Sequence, residues 1–339
     1  MKMIMPLVQE ETRQKRVDDY AVCCKGEGPV LFETRDYISN AVFQIRRCEN
    51  CGLIYTYPQP SREEIKDFYP REYYDEKMML HNFFAKQFVK FYQWARIRKI
   101  LLYFRDNNGS MLDIGCGRGW QLKYFQQKGW EVCGTELSEI SSDFARKGLR
   151  LNVSIGDFKE RHFERETFDV VSLWHVFEHL LRPKDALEES WRITKKEGMI
   201  FVSVPNFSSW QSRISRQFWF HLDVPRHLSH FTPKSMERLL EIAGFHVMSR
   251  SCLSFEYGFF GIVQSLLNLM GGDFNFLWDL LSRKAGRMRG MSKSKILKNL
   301  ALLSLLCPFY VPIGFLLELL SIPFFSGSVI TVVARKIEP

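Results

Sequence analysis

From about residue 110 to 205 the chain alternates short apolar runs with stretches whose apolar residues recur at helical spacing. Met111 to Ile114 predict a strand that ends in a glycine turn, and "RGWQLKYFQQKG" predicts a helix that stops at Gly129. "WEVCGTEL" is a second strand, and "SEISSDFARKG" a second helix with Ser138 as its cap. "LNVSIGD" and "FDVVSLWHVF" read as third and fourth strands, "PKDALEESWRITKKEG" as a helix opened by Pro183, and "MIFVSVPN" as a fifth strand. Next come the helix "TPKSMERLLEIAG", capped by Thr232 with Pro233 in its first turn, the strand "FHVMSRSCLSF" and a β-branched last strand in "GSVITVVARK". Strands that alternate with helices predict the α/β class, a doubly wound, mostly parallel sheet covered on both faces.

The first 105 residues break this pattern. They are rich in Cys, Tyr and Arg, then become an aromatic helical stretch from about Met78 to Phe104. No internal repeat or low-complexity tract interrupts the chain. Composition adds bounds: 46% hydrophobic and 25% charged residues over 339 positions is an ordinary globular mix, not a disordered or fibrous one. The net charge of +9 suits anionic partners such as nucleic acid, phosphorylated substrates or membrane headgroups, without choosing among them. The N-terminal "MKMIMPLVQEETRQKR" is too short in apolar residues for a signal peptide, so a cytoplasmic protein is expected. Its eight cysteines are then expected to be mostly thiols or metal ligands.

The candidate chemistry starts at "MLDIGCGRGW". Glycine supplies positive φ and removes the side chain that would block a ligand, and the carboxyl end of a first parallel strand is where nucleotides bind in such sheets. The spacing is Gly115-x-Gly117-x-Gly119, not the G-x-G-x-x-G of dinucleotide sites, which disfavours a nicotinamide oxidoreductase. Carboxylates sharpen the reading. Glu136 ends the second strand, where it can accept both hydrogen bonds of a ribose diol; Asp157 ends the third, and Asp113 precedes the turn. With these residues in order, the segment resembles the class I S-adenosylmethionine-dependent methyltransferases: "LDIGCGRG" is similar to their first motif, "GTELS" to the second and "IGDF" to the third. The resemblance covers about residues 110–250 plus the tail. It implies a seven-stranded Rossmann-like sheet, S-adenosyl-L-methionine as cofactor, and cofactor contacts from Asp113, Gly115, Gly117 and Glu136, with Asp157 at the adenine.

Methyl transfer to a hydroxyl or carbon acid needs an aligned nucleophile and a base, a role that suits histidine. "WHVFEHL" carries His175, Glu178 and His179 after the fourth strand, and "FHLDVPRHLSHF" carries His221, Asp223, Arg226, His227 and His230 after the fifth. Because "EHL" recurs in relatives with different substrates, His175 and His179 are expected to shape the cofactor pocket, with His175 kept as a catalytic candidate. His227 is the first candidate for general base and His230 another. Arg226 is a candidate clamp for phosphate or carboxylate, since guanidinium binds both in a fork, and His221 and Tyr73 are candidate substrate contacts.

Towards the N-terminus, Cys48-x-x-Cys51 followed by Gly52 is half a zinc ribbon, faced by the adjacent pair Cys23–Cys24. "RCENCGLIYTYPQPSREEIKDFYPREYY" resembles a module found before some of these enzymes, including sugar C-methyltransferases, which implies structural zinc on Cys23, Cys24, Cys48 and Cys51; the adjacent pair departs from the usual knuckle. Near the C-terminus, seven cations and no acid lie between Arg283 and Lys298, and "NLALLSLLCPFYVPIGFLL" then runs without charge to Glu318, broken by Pro308 and Pro312. If the last strand returns to the sheet, this segment must leave and return on one face. A Pro-broken helical hairpin dipping into one leaflet fits, with anionic headgroups attracting the basic run; a soluble helical subdomain or dimer interface is the alternative. Nucleic acid is disfavoured because the basic run is followed by aliphatic residues.

The expected organisation is a Cys module over 1–60, a helical lid or linker over 61–105, a cofactor-binding core over 106–255, a membrane-surface insertion over 256–325 and a last core strand over 326–339. The expected activity is methylation of a small-molecule acceptor, a nucleotide- or lipid-linked sugar of surface-polysaccharide assembly, on the cytoplasmic face of a membrane. The alternatives are a quinone or lipid acceptor, and a non-catalytic membrane adaptor that kept the fold.

Overall fold

The computed structural model describes residues 28–69, 93–104, 108–252, 257–281 and 290–337. Three antiparallel strands come first: β1 (Val30–Arg35), β2 (Val42–Arg47) and β3 (Ile54–Tyr57). The turn between β2 and β3 is the Cys48–Gly52 segment, closed by Gly52 N–H donating to the Cys48 carbonyl at 2.9 Å and Cys48 N–H to Leu53 at 2.8 Å. The core strands follow as β4 (Ser110–Ile114), β5 (Glu131–Glu136), β6 (Val153–Ile155), β7 (Phe168–Trp174) and β8 (Thr194–Pro205). A two-residue strand, β9 (Ser229–His230), precedes β10 (Phe245–Ser251) and β11 (Val329–Lys336).

The large sheet has the order β10-β11-β8-β7-β4-β5-β6, parallel from β8 to β6, with β11 antiparallel to both of its neighbours. This is the expected seven-stranded sheet, and the last strand does return inside it. Its central strands read as continuous apolar runs because helices cover both faces: β4 and β7 are almost wholly buried. One core layer gathers Leu112, Val171, Ile200 and Val332, and the other gathers Met111, Val170, Phe201 and Val333, the alternation that a strand imposes.

Helix ends follow the predicted signals. Ser138 accepts from Ser141 N–H, and Thr232 and Ser235 form a reciprocal capping box with Pro233 in the first turn. One boundary differs. The helix opened by Pro183 ends at Ile193, and 194–198 belong to β8. The Thr194 hydroxyl donates to the Ser190 carbonyl at 2.6 Å, capping the last turn and releasing the chain into extended structure.

Two departures concern the flanks. The N-terminal strands do not close on themselves: β3 pairs with β9, so the small sheet runs β1-β2-β3-β9 and borrows a strand from the loop after β8. Within 61–105 a short helical turn covers Glu64–Phe68 and a helix covers 93–101; residues 70–92 and 105 of the expected lid lie outside the described residues. Among the described residues the insertion has three helices, Tyr257–Leu269, Phe276–Leu281 and Lys293–Ser321. The hairpin is formed by the first and third, since Gly258 approaches Glu318 and Gly314 approaches Ile262 in antiparallel register. The third bends by 50° between Lys293–Tyr310 and Pro312–Ser321, where two prolines interrupt the backbone ladder.

Candidate functional site

Between β4 and the Trp120–Gln127 helix, all three glycines of the turn have positive φ: 67° at Gly115, 55° at Gly117 and 75° at Gly119. They serve different ends. A Cβ on Gly115 would come within 2.3 Å of Val176, and one on Gly119 within 2.6 Å of Leu151, so these two permit close packing. A Cβ on Gly117 would meet nothing within 4 Å, so the middle of the turn faces open space. That is the position at which a ligand can lie against the backbone.

Glu136, at the end of β5, reaches this turn. Its Oε2 accepts from Gly117 N–H and its Oε1 from Ser138 N–H, both at 2.8 Å. Each carboxylate oxygen keeps further acceptor capacity, which a ribose diol can use. The brace to Gly117 was not foreseen from sequence; only the order of the motifs hinted that the two strand ends meet. Beside it, Leu137 is 71% exposed and Ile155 is 42% exposed, an apolar surface on either side of the Glu136 strand end that sequence reasoning also passed over. Exposed aliphatic groups next to a carboxylate suit a purine face above a ribose. Asp157 caps the turn after β6 by accepting from Lys159 N–H at 3.0 Å, while its Oδ2 lies 4.0 Å from Lys159 Nζ.

Asp113 is buried at the end of β4 and accepts from the Ser172 hydroxyl at 2.6 Å; Ser172 in turn accepts from Gln121 at 3.2 Å. Burial pushes its carboxyl up to about 7, against the Ser172 hydrogen bond and the Arg96 charge, which favour ionisation. These residues fit S-adenosylmethionine. Gly117 gives backbone access, Glu136 and Asp157 offer acceptors, and Asp113 supplies a carboxyl that a nearby ammonium or sulfonium would ionise.

A prediction follows from that carboxyl. At pH 6 the free protein holds Asp113 largely protonated, so cationic cofactor binding should release up to about one proton. The calorimetric enthalpy at pH 6 should then depend on the buffer's ionisation enthalpy, less so at pH 8, and not at all in Asp113→Asn; equal enthalpies across buffers would contradict this. In the cofactor-free chain, a raised carboxyl pKa stabilises the fold at low pH, and that contribution falls as pH rises from about 4 to 7.

The histidine clusters divide. His175 follows β7 with φ of 56°, its N–H donating to the Ser203 carbonyl, and its Nδ1 is 3.4 Å from Glu178 Oε1. Burial lowers its pKa. Glu178 is 1% exposed; burial opposes its ionisation, but the pairing with His175 and the fields of His179 and His227 outweigh it and hold the carboxyl at about 2. His227 is buried, its pKa pushed down to about 4 by burial and by His179, so it is neutral at neutral pH. The His179 and His227 rings lie 4.6 Å apart, which brings the two predicted clusters together. Val176, which packs on Gly115, ties this group to the glycine turn.

Three expected roles change. Arg226 is fully buried, and its donors go to Asp36, Asp223, the Phe68 carbonyl and the Val224 carbonyl, so it ties the N-terminal sheet to the loop rather than clamping a substrate anion. His230 Nε2 lies 3.0 Å from the Thr56 hydroxyl, whose own proton goes to the His227 carbonyl at 2.7 Å; the ring holds β9 to β3 instead of serving as a base. His221 is buried against the Tyr257–Leu269 helix, where a Cβ on Gly261 would lie 2.3 Å from its Nε2, not in a substrate cleft. All three are polar groups spent on joining segments, a use that sequence does not distinguish from catalysis. Tyr73, Cys23 and Cys24 lie outside the described residues. Of the other two expected ligands, Cys48 is buried and Cys51 half-buried in the turn between β2 and β3.

The chain is similar to known methyltransferases. Residues 86–250 match the family described as "Methyltransferase domain". The chain is 26% identical over 161 residues to a ubiquinone biosynthesis O-methyltransferase from an Azoarcus species, covering 43% of this chain and 68% of the relative. It is 26% identical over 158 residues to a probable S-adenosylmethionine-dependent methyltransferase of Mycolicibacterium smegmatis, covering 45% and 60%. A solved S-adenosylmethionine-dependent methyltransferase from Archaeoglobus fulgidus superimposes with a TM-score of 0.43 at 21% identity, over 71% of this chain and 92% of that one. The chain spans between about half and two thirds of the length of the curated relatives it matches.

Proposed function

Residues 86–250 form a class I S-adenosylmethionine-dependent methyltransferase domain, and we propose that the chain methylates a hydroxyl carried by a lipid-like, membrane-resident acceptor. In such a transfer the acceptor oxygen bonds to the methyl carbon as the carbon–sulfur bond breaks. The electron pair stays on sulfur, and the hydroxyl proton passes to a base or to solvent. Asp113, Gly117, Glu136 and Asp157 would hold the cofactor, which supplies the activated methyl group. The buried group of Glu178, His179 and His227 offers the lone pairs that an acceptor hydroxyl needs.

The observation that carries the acceptor class is the outer face of the Lys293–Ser321 helix. Leu305, Phe309, Ile313, Leu316 and Leu320 are each at least 50% exposed, and the last four recur at one-face spacing. The opposite face is fastened to the core: buried Glu318 accepts from Ser328 N–H at 3.0 Å, the Ser328 hydroxyl at 2.8 Å and Gln211 at 3.2 Å. No single helix among the described residues is long and apolar enough to cross a bilayer, although the bent pair reaches that length. A helix anchored on one side and apolar on the other, entered through Lys293, Lys295 and Lys298, suits a one-leaflet contact with anionic lipid. The names of several relatives, ubiquinone O-methyltransferases, favour a quinone-like acceptor over the soluble nucleotide sugar considered from sequence.

Two measurements test this. With methyl-labelled S-adenosylmethionine and cell membranes, label should enter the organic extract; label confined to water-soluble products would favour a nucleotide sugar. Phe309→Ser, Ile313→Ser and Leu316→Ser together should abolish flotation with anionic vesicles while sparing cofactor binding, because each side chain contributes about 1.5–3 kcal/mol when removed from water. Undiminished flotation of the triple variant would remove this helix as the anchor.

A further inference from the structure

The turn after β7 and the loop after β8 bring Glu178, His179 and His227 together, with one ligand-type atom of each within 4.8 Å of the others. His179 Nδ1 lies 2.9 Å from the Arg226 carbonyl, and His227 Nδ1 lies 2.8 Å from the His221 carbonyl. A carbonyl can only accept. In the neutral rings each Nδ1 therefore carries the proton, at His179 shared between the Arg226 carbonyl and the Tyr69 hydroxyl 3.1 Å away, and each Nε2 presents a lone pair. Glu178 is 1% exposed, and neither carboxylate oxygen has a hydrogen-bond partner. His175 approaches one of them only at ion-pair distance, 3.4 Å. Two imidazole lone pairs and a carboxylate whose nearest donor is His175 at 3.4 Å, buried in one place, form a set with more acceptors than donors.

We propose that a divalent transition-metal ion supplies it, bound by Glu178 and the Nε2 atoms of His179 and His227. Two imidazoles and one carboxylate suit zinc, cobalt, manganese or ferrous iron, and leave coordination positions open. The Arg226 and His221 carbonyls act as the outer partners that fix the tautomer and orientation of each ring. Bonding distances of about 2.0–2.2 Å would draw the three atoms closer together than the 4.8 Å within which they lie. The site's existence rests on these contacts alone. Its role rests on the methyl-transfer reading: an acceptor oxygen taken up at an open position would lose its proton more readily, next to the turn that Val176 packs against.

The test uses the full chain, stripped with chelator and titrated with Co2+. About one equivalent should bind with visible d–d bands and without the thiolate charge-transfer absorption that Cys48 would add. Glu178→Gln and His179→Gln should each weaken that binding by about 10–100-fold or more, with calorimetric binding of S-adenosylmethionine retained as proof of folding. Wild-type protein that binds the cofactor but shows no such Co2+ spectrum at millimolar metal would overturn the site. So would folded variants that bind Co2+ as tightly as wild type. Loss of cofactor binding by the wild type would strike the methyltransferase reading instead, so the two failures are distinguishable.

Discussion

Replacing Arg226 by methionine should lower the stability of the chain by about 3–5 kcal/mol, the usual cost of leaving a buried charge without its partner. The side chains of Arg226 and Asp36 are both fully buried and lie 2.8 Å apart, and Asp223 is paired with the same guanidinium at 2.8 Å. Asp36 would keep Ile38 N–H, Ser39 N–H and the Ser39 hydroxyl, which satisfy hydrogen bonds but not charge. At Asp223, burial works to raise the pKa, and Arg226 with His227 outweighs it and holds the carboxyl below the usual range. That depressed pKa contributes stability above the ordinary aspartate value, which fades as pH falls; the methionine variant loses it at neutral pH. Urea denaturation should show the loss, and adding Asp36→Asn should recover part of it. A single-variant loss below about 1 kcal/mol, within the range of an exposed ion pair, would show that this group does not join the N-terminal sheet to the loop as described.

Glu136→Ala should weaken S-adenosylmethionine binding by about 1–3 kcal/mol, roughly 5- to 150-fold in affinity. Two effects combine. The carboxylate would no longer accept charge-assisted hydrogen bonds from the cofactor, and Gly117 N–H and Ser138 N–H would lose an acceptor at 2.8 Å each. The second effect loosens the turn that must hold φ of 55° at Gly117. Glu136→Gln keeps one carbonyl oxygen and should fall between alanine and wild type. Unchanged affinity in the alanine variant would remove Glu136 from the cofactor site. Binding is read by titration calorimetry, with circular dichroism confirming an intact sheet.

The core was legible in the sequence because its strands are buried on both faces and its helices carry strong caps. Met111 to Ile114, the Ser138 and Thr232 caps and the tail strand all fell where local pattern placed them. The glycine turn was legible for a related reason: three positive-φ positions leave a mark in residue type. What pattern could not show was long-range partnership. Arg226, His221 and His230 read as site residues because polar groups dense in a loop look alike whether they face a ligand or another segment. Their real partners are as far away as Asp36 and Thr56, 190 and 174 residues distant, and no periodicity encodes such pairs. The meeting of His179 with His227 was hidden in the same way. The Thr194 end of one helix was missed because "TKKEG" has good helix formers, and only the hydroxyl bond to Ser190 ends the turn.

Methyl transfer by this chain depends first on cofactor binding by the turn at Gly117 and Glu136. Titration of S-adenosylmethionine into the folded, full-length chain measures it. Saturable binding at one site, displaced by S-adenosylhomocysteine, is the predicted result. A folded chain that gives no binding heat with cofactor on the order of hundreds of micromolar would contradict it.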